Sequence, residues 1–390
     1  MKNEAIVVYH VFLFHLQSIY LMKQSYYCLL CCLIGLSAHG QDNRPPLVLE
    51  GHFQTHGQLT FQGTSKAATP ASLAQSLGES TRYLSHWEGA TGMRLLTRKE
   101  GIGQEIRPLV LLVSPNYHTR FEVTKGPTYL SQLTGKVEGH SQSGDVYLKA
   151  VTAQVRLSVQ AGDVVAENSD LEGELIAHKG DIRLSDVRGG YSALAKTGQV
   201  QATFSELFFR KQDQVYSMGI GQGSLQAVGA RSGVVFEVVR GRIQVQKSQR
   251  QVSALVTQAG DIRLEGVSGQ IYARTEGGSI WVELLAEAGK EAVPIEIDNR
   301  SGDVVVIVPK ELQGLLVIEC SQTRELERKK VVESAIDLSK AEWQEQRDAK
   351  DQVVGRSFRA VQPLGKDKST EKQRLIRLRV RNGNLTIKTY

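Results

Sequence analysis

Cysteine is nearly absent: three of the four, Cys28, Cys31 and Cys32, crowd the start of the chain, and only Cys320 stands beyond them. A fold built on disulfides is thereby excluded, because a lone thiol cannot cross-link the chain to itself. Aromatic residues make up 6% of the chain and there are 9 prolines, so the core cannot be made of large rings. No apolar run is continuous over the roughly 20 residues that a membrane-spanning helix needs. Neither charge sign dominates, with 47 Lys+Arg against 41 Asp+Glu, and the excess is spread thinly along the chain. That pattern reads as a solvated mixed surface and not as a nucleic-acid patch. Signatures of catalysis are missing as well: there is no His-Glu-x-x-His, no Gly-x-Ser-x-Gly and no phosphate loop. "GIGQG" from Gly219 lacks the strand-to-helix setting of a nucleotide site, and His52 and His56, four apart on a strand, do not converge on one metal ion.

The N-terminus carries the three parts of a secretory signal: Met22-Lys23-Gln24, an apolar stretch over 27–36, and Ser37-Ala38-His39-Gly40. Cleavage is expected after Gly40, with 1–21 as an upstream extension, and the membrane is touched only through this segment if it stays uncleaved. The mature chain is then an exported protein that holds itself together without disulfides.

What is abundant is glycine, 37 residues, and it is periodic. Gly126, Gly144, Gly162, Gly180 and Gly198 are spaced by 18, and Gly223, Gly241, Gly260, Gly278 and Gly302 continue the series with two longer intervals of 25 and 24. Two and four residues after each glycine stand apolar side chains, such as Val146 and Leu148 or Ile182 and Leu184, with Thr128 the one polar member. A second apolar trio follows in each unit, for example Val155, Leu157 and Val159. This alternation is the strand period, and β-branched segments so short and so regularly broken by Gly are not helices. One such unit cannot bury its apolar face alone, but stacked units form a continuous core. The spacing predicts an all-β, single-stranded β-solenoid of about ten coils of period 18, capped at both ends. The acidic residues after the glycines, Asp145, Asp163 and Asp181, are expected to bond backbone amides at the corner.

The two long intervals mark insertions at the same corner, 205–214 and 285–293, four coils and therefore about 19 Å apart. The first carries Leu207, Phe208, Phe209, Arg210 and Lys211, an interaction loop if it protrudes and ordinary core if it folds back. Tyr129, Tyr147 and Trp281 occupy outward positions and are candidates for stacking on sugars.

"SGDVYLKAV" at Ser143, "GDIRLEGVSGQIYARTEGGSI" from Gly260 and "SGDVVVIVP" ending at Pro309 resemble the repeat of a bacterial adhesin-like family, a domain of unknown function. "VLLVSP" from Val110 and "NGNLTI" from Asn382 resemble its edges. The resemblance implies a right-handed β-helix and brings no catalytic residues or cofactor. Its first coil departs from the pattern, with Gly126-Pro127 in place of Gly-Asp. The expected organisation is a signal over 1–40, a β-rich cap over 41–125, coils over 126–310, and a second cap over 311–390. That second cap holds a charged excursion, a helix around 338–349 and closing strands; a short helix is also expected over 70–77. The expected role is a non-enzymatic, exported interaction module whose partner is a cell-envelope protein or a glycan. The alternative is a carbohydrate-active β-helix enzyme, since sugar-cleaving enzymes also use such folds.

Overall fold

The computed structural model describes residues 47–390, except 66–82, 90–91, 100–101, 104–107, 116, 212–213, 286–292, 324–331, 339–340, 342, 348, 350 and 365–373. The expected signal segment, the expected helix over 70–77 and most of the second insertion lie outside the described residues. What is described is a β-solenoid built mostly of strands in parallel ladders, with one five-residue helix, α1 (Glu206–Arg210).

Each coil contributes one strand to a front wall and one to a rear wall. Along the front wall Val146, Val164 and Ile182 are paired directly in register, and all three are buried. Along the rear wall Val155 is paired in register with Gly173 and Val137, and Leu157 with Leu175. Three long strands, Tyr216–Val228, Val234–Gln246 and Gln251–Val267, run through the glycine corner and serve both walls. Between the walls lies one core cluster dominated by Val, Leu, Ile and Ala. These side chains are small because opposite walls leave room for one interdigitated layer per coil.

The glycine corner has a steric cause. Gly162 has φ +140°, and a Cβ there would stand 2.5 Å from the carbonyl oxygen of Gly144 in the preceding coil. Gly180 repeats the relationship with Gly162 at 2.1 Å. A side chain is therefore excluded twice, by backbone angle and by the stacked carbonyl. Beside it the acidic residues form a ladder. An Oδ1 of Asp145 accepts the Asp163 amide at 2.8 Å, Asp163 accepts that of Asp181 at 2.8 Å, and Asp181 accepts that of Gln199 at 3.0 Å. Arg183 bridges the carboxylates of Asp163 and Asp181 at 3.0 and 3.5 Å, relieving their repulsion. The opposite corner has its own column, unseen in the sequence: Gln132, Ala150, Asn168 and Asp186 all adopt left-handed backbone, with φ between 47° and 54°.

The coils extend further than the expected span 126–310, at both ends. The strands Leu47–His56 and Leu59–Gly63 form a complete coil, and so do Gly92–Thr97 and Leu109–Val113. Their order is not that of the chain. The 47–63 coil lies between the 92–113 coil and the next one, because Leu49 pairs with both Met93 and Thr119. The other end mirrors this: Leu375–Arg381 is inserted between Ile295–Asn299 and Gly314–Thr323, with Leu378 paired to both Ile297 and Ile318. Antiparallel strands then close each end of the rear wall, Leu84–Gly89 at one and Val353–Leu364 with Trp343–Arg347 at the other. Within the span 338–349, where a helix is expected, Trp343–Arg347 is thus a strand, and Trp343 packs on Phe358 with ring centroids 5.4 Å apart.

Candidate functional site, an interruption in the rear wall

Ladders join the neighbouring rear-wall strands coil after coil, with one exception among the described residues. Tyr191–Ala195 pairs with Asp170–Ala177 on one side, and residues 216–220 pair with the strand beginning at Val234 on the other. No ladder joins these two to each other, although the front-wall strands of the same coils are paired, with a shift of two residues that sets Val200 against Gly223. Elsewhere on this wall the inward side chains are mostly buried, with glycine positions such as Gly135 and Gly173 exposed; at the break Tyr191, Ala193, Ala195, Tyr216 and Met218 are only half-buried. A Cβ on Gly190 or Gly221 would meet nothing within 4 Å, whereas one on Gly223, at the corner, would stand 1.7 Å from the carbonyl of Val200.

The insertion that creates the break is α1. Ser205 caps it by accepting the Phe208 amide at 3.2 Å, while Asp186 holds the Ser205 amide and hydroxyl. Arg210 returns to Glu206 at 2.7 Å across one turn. The helix turns Phe208 and Phe209 into the core, where they meet Phe204, Tyr216 and, through Phe204, Phe236, at centroid distances of 4.8 to 6.4 Å. Five rings gather at a level where other coils place Val and Ala, and this volume keeps the walls from closing in step. The apolar tip considered in the sequence is therefore not presented as a unit: Phe208 and Phe209 are core, and Leu207, 60% exposed, stands outside with Arg210 and Lys211.

Two tyrosines line the break. Tyr216 donates its hydroxyl to the Val187 carbonyl at 3.1 Å, and the Tyr191 hydroxyl points at Met218 Sδ, 3.9 Å away. Burial pushes the Tyr216 phenol up to about 12, and burial with the neighbouring Tyr216 raises that of Tyr191 further. Both stay neutral donors at any physiological pH.

The other sequence candidates are placed apart from this. Tyr129 and Tyr147 stack on each other, centroids 4.7 Å apart and planes 9° apart, so their faces are turned along the coil axis toward one another. Trp281 is covered by the Arg263 guanidinium at 4.8 Å. One face of each of these rings is thus already covered. His52 is held between Glu122 at 3.1 Å and Glu50 at 3.3 Å. Cys320 is buried, and desolvation raises its thiol to about 12. Among the described residues no group of three His, Cys, Asp or Glu side chains is arranged to hold a metal ion, and no helix is long and apolar enough to cross a membrane.

A shallow groove of about 430 Å³ lies on the outer rear wall before the break, lined by Lys136, Glu138, Gln154, Arg156, Glu172 and Glu174. Hydrogen bonds from Lys136 and Arg120 hold the Glu138 carboxyl down at about 2, although partial burial opposes them. Sequence reasoning did not find the break. Its signals were present in Gly189-Gly190, in the small Ala193 and Ala195, and in Gly219 and Gly221, all beside the interval of 25.

Comparison with known proteins bears on residues 211–321, which match the family model described as Toastrack DUF4097, an uncharacterised domain family. The matched segment begins one residue after α1, on the far side of the break, and runs to the closing strand Gly314–Thr323. No curated protein and no solved structure matches the chain.

Proposed function

We propose that this chain is an exported, adhesin-like interaction module of the cell envelope that binds without chemical turnover, and that the rear-wall break is where it binds. The observation that carries this reading is the partial exposure of core side chains at the one level, among the described residues, where the rear-wall ladder is broken. A stack of coils gains stability by closing every ladder, so an opening kept in the middle of the stack is the natural place for a partner. The long, rigid walls on either side hold the two lips in fixed positions, which lowers the entropy lost on binding.

A second reading, a carbohydrate-active enzyme, draws on the groove containing Glu138, Glu172 and Glu174. Sugar cleavage calls for two carboxyl groups, one with its proton retained near neutral pH. Glu138 is pulled the opposite way, and Glu174 faces Arg156 at 3.9 Å. The outward acids further along are likewise engaged, Glu276 by Arg274 and Arg300 and Glu319 by Arg379.

The test uses the full chain, incubated with envelope fractions and with arrayed glycans while released reducing sugar is measured. Saturable binding without release is the expected result. Release of soluble saccharide, or no binding to any envelope fraction, overturns the reading.

A further inference from the structure

The backbone at the break has a definite hydrogen-bonding phase. On the near lip Gly173 donates to the Gly190 carbonyl at 3.1 Å, and Lys196 donates to that of Ala177 at 2.8 Å. Even-numbered residues of this strand therefore face the preceding coil. In a strand the N–H and C=O of one residue point the same way and alternate along the chain, so those of Tyr191, Ala193 and Ala195 face the break. On the far lip Tyr216 donates forward to the Gly233 carbonyl at 3.2 Å, which sends the backbone groups of Ser217, Gly219 and Gly221 back toward the break. Two parallel strand edges thus confront each other, each with a row of donors and acceptors that no ladder satisfies.

We propose that this is a strand-insertion site: an extended segment of another polypeptide, about five residues long and apolar at alternate positions, enters between the lips and completes the rear wall. The inference rests on the interaction-module reading and names its ligand. Backbone chemistry favours a peptide over a glycan. Only a peptide presents N–H and C=O groups on both edges at strand spacing, which is how partner chains extend open sheets elsewhere. The side-chain environment fits the same occupant. Inward residues of the inserted strand meet Ala193, Ala195 and Met218, where the lips carry small or flexible side chains, and displace the Tyr191 hydroxyl that rests 3.9 Å from Met218 Sδ. Exposed Lys196 just past the near strand and exposed Lys211 before the far one, next to an Arg210 already paired with Glu206, put cations at the rim, so acidic residues flanking the apolar segment fit best. The stacked walls beyond each lip fix the direction: the segment runs parallel to its neighbours, as all strands around it do.

The experiment uses the full chain and an array of synthetic nine-residue peptides, alternating apolar and polar with Glu at the ends, each paired with a version carrying Pro at the centre. Binding is expected for the alternating peptides and a loss of at least about tenfold for the Pro versions, since Pro cannot donate to a ladder. Ala193→Pro and Gly219→Pro each delete an amide that faces the break without removing a ladder bond of the free protein, and each should weaken binding by a similar factor. Leu194→Lys, on the outer face of the same strand, should leave binding within about twofold, because successive side chains point to opposite faces. Amide exchange in the unsubstituted chain gives a readout independent of any variant: Ala193 and Gly219 exchange fast alone and slow when peptide is bound. Peptide binding without that protection overturns the proposal. So does peptide binding untouched by both Pro variants, or a dimer of the chain that blocks peptide, which assigns the opening to a second copy. Envelope binding that persists while no peptide binds overturns the strand insertion and leaves the broader reading standing; loss of both ends both.

Discussion

Asp163 sits where it accepts the amide of Asp181, eighteen residues later, through Oδ1 at 2.8 Å, while its own amide is held by Asp145 in the coil before. The carboxylate is thus a rung between coils and not a cap within its own turn. Asp163→Ala leaves the Asp181 amide without its acceptor and should cost about 1–2 kcal/mol. Asp163→Asn keeps a side-chain oxygen and should cost well under half of that, because the ion pair it gives up, with half-exposed Arg183, is worth little. Denaturant unfolding of both variants checks the order.

Stacking imposes a harsher limit on the neighbouring glycine. Gly162→Ala adds a Cβ 2.5 Å from the Gly144 carbonyl oxygen at φ +140°, and both coils must shift to admit it. A loss of about 3 kcal/mol or more is expected in the unfolding free energy. An Ala at Gly190, where φ is not left-handed and nothing lies within 4 Å, should be close to neutral by the same measurement.

Within α1 adjacent residues should part company. Phe208→Ala empties a ring from the five-ring cluster and should destabilise by about 3–4 kcal/mol. Leu207→Ser, at a residue 60% exposed, should change stability by no more than about 0.5 kcal/mol. Thermal unfolding separates the two.

Acid should reach Glu138 late. Its folded pKa of about 2 lies below the unfolded value, so its contribution is complete above the unfolded pKa and is lost as pH falls through the window down to about 2. Glu138→Gln should lower stability at pH 7 by about 1 kcal/mol, allowing for the solvent around Arg120 and Lys136, and should flatten the acid limb of the stability curve. Unfolding midpoints at pH 7, 4 and 2.5 give the comparison.

How much of this was legible in the chain depends on the range of the interaction. The front-wall file of Val146, Val164 and Ile182 is a matter of period and was readable from the spacing alone. Family resemblance led to the same coil, and the family match over 211–321 supports a domain of that kind while leaving the adhesin role a proposal. The burial of Phe208 and Phe209 was one of two open outcomes, because a five-residue turn of helix has no period long enough to declare its inner face. The left-handed column at Gln132, Ala150, Asn168 and Asp186 was hidden because no single residue type occupies it. Placement of the 47–63 and 375–389 coils was beyond any local signal: Leu49 and Leu378 alternate like other strand residues, and nothing in alternation says which neighbour comes next. Trp343 was misassigned to a helix by the charged residues around it, and it is strand because Phe358 and Arg356 give its ring a partner on each side.

The in-tucked coils give the molecule an uncommon response to tension. The strand Leu47–His56 is stitched to neighbours on both flanks, and Leu375–Arg381 is stitched likewise at the far end. A force drawn between these two ends cannot unravel the stack like thread from a spool, one loop after another. Freeing either strand means parting two ladders, one on each flank, where the end strand of an ordinary stack is held by one.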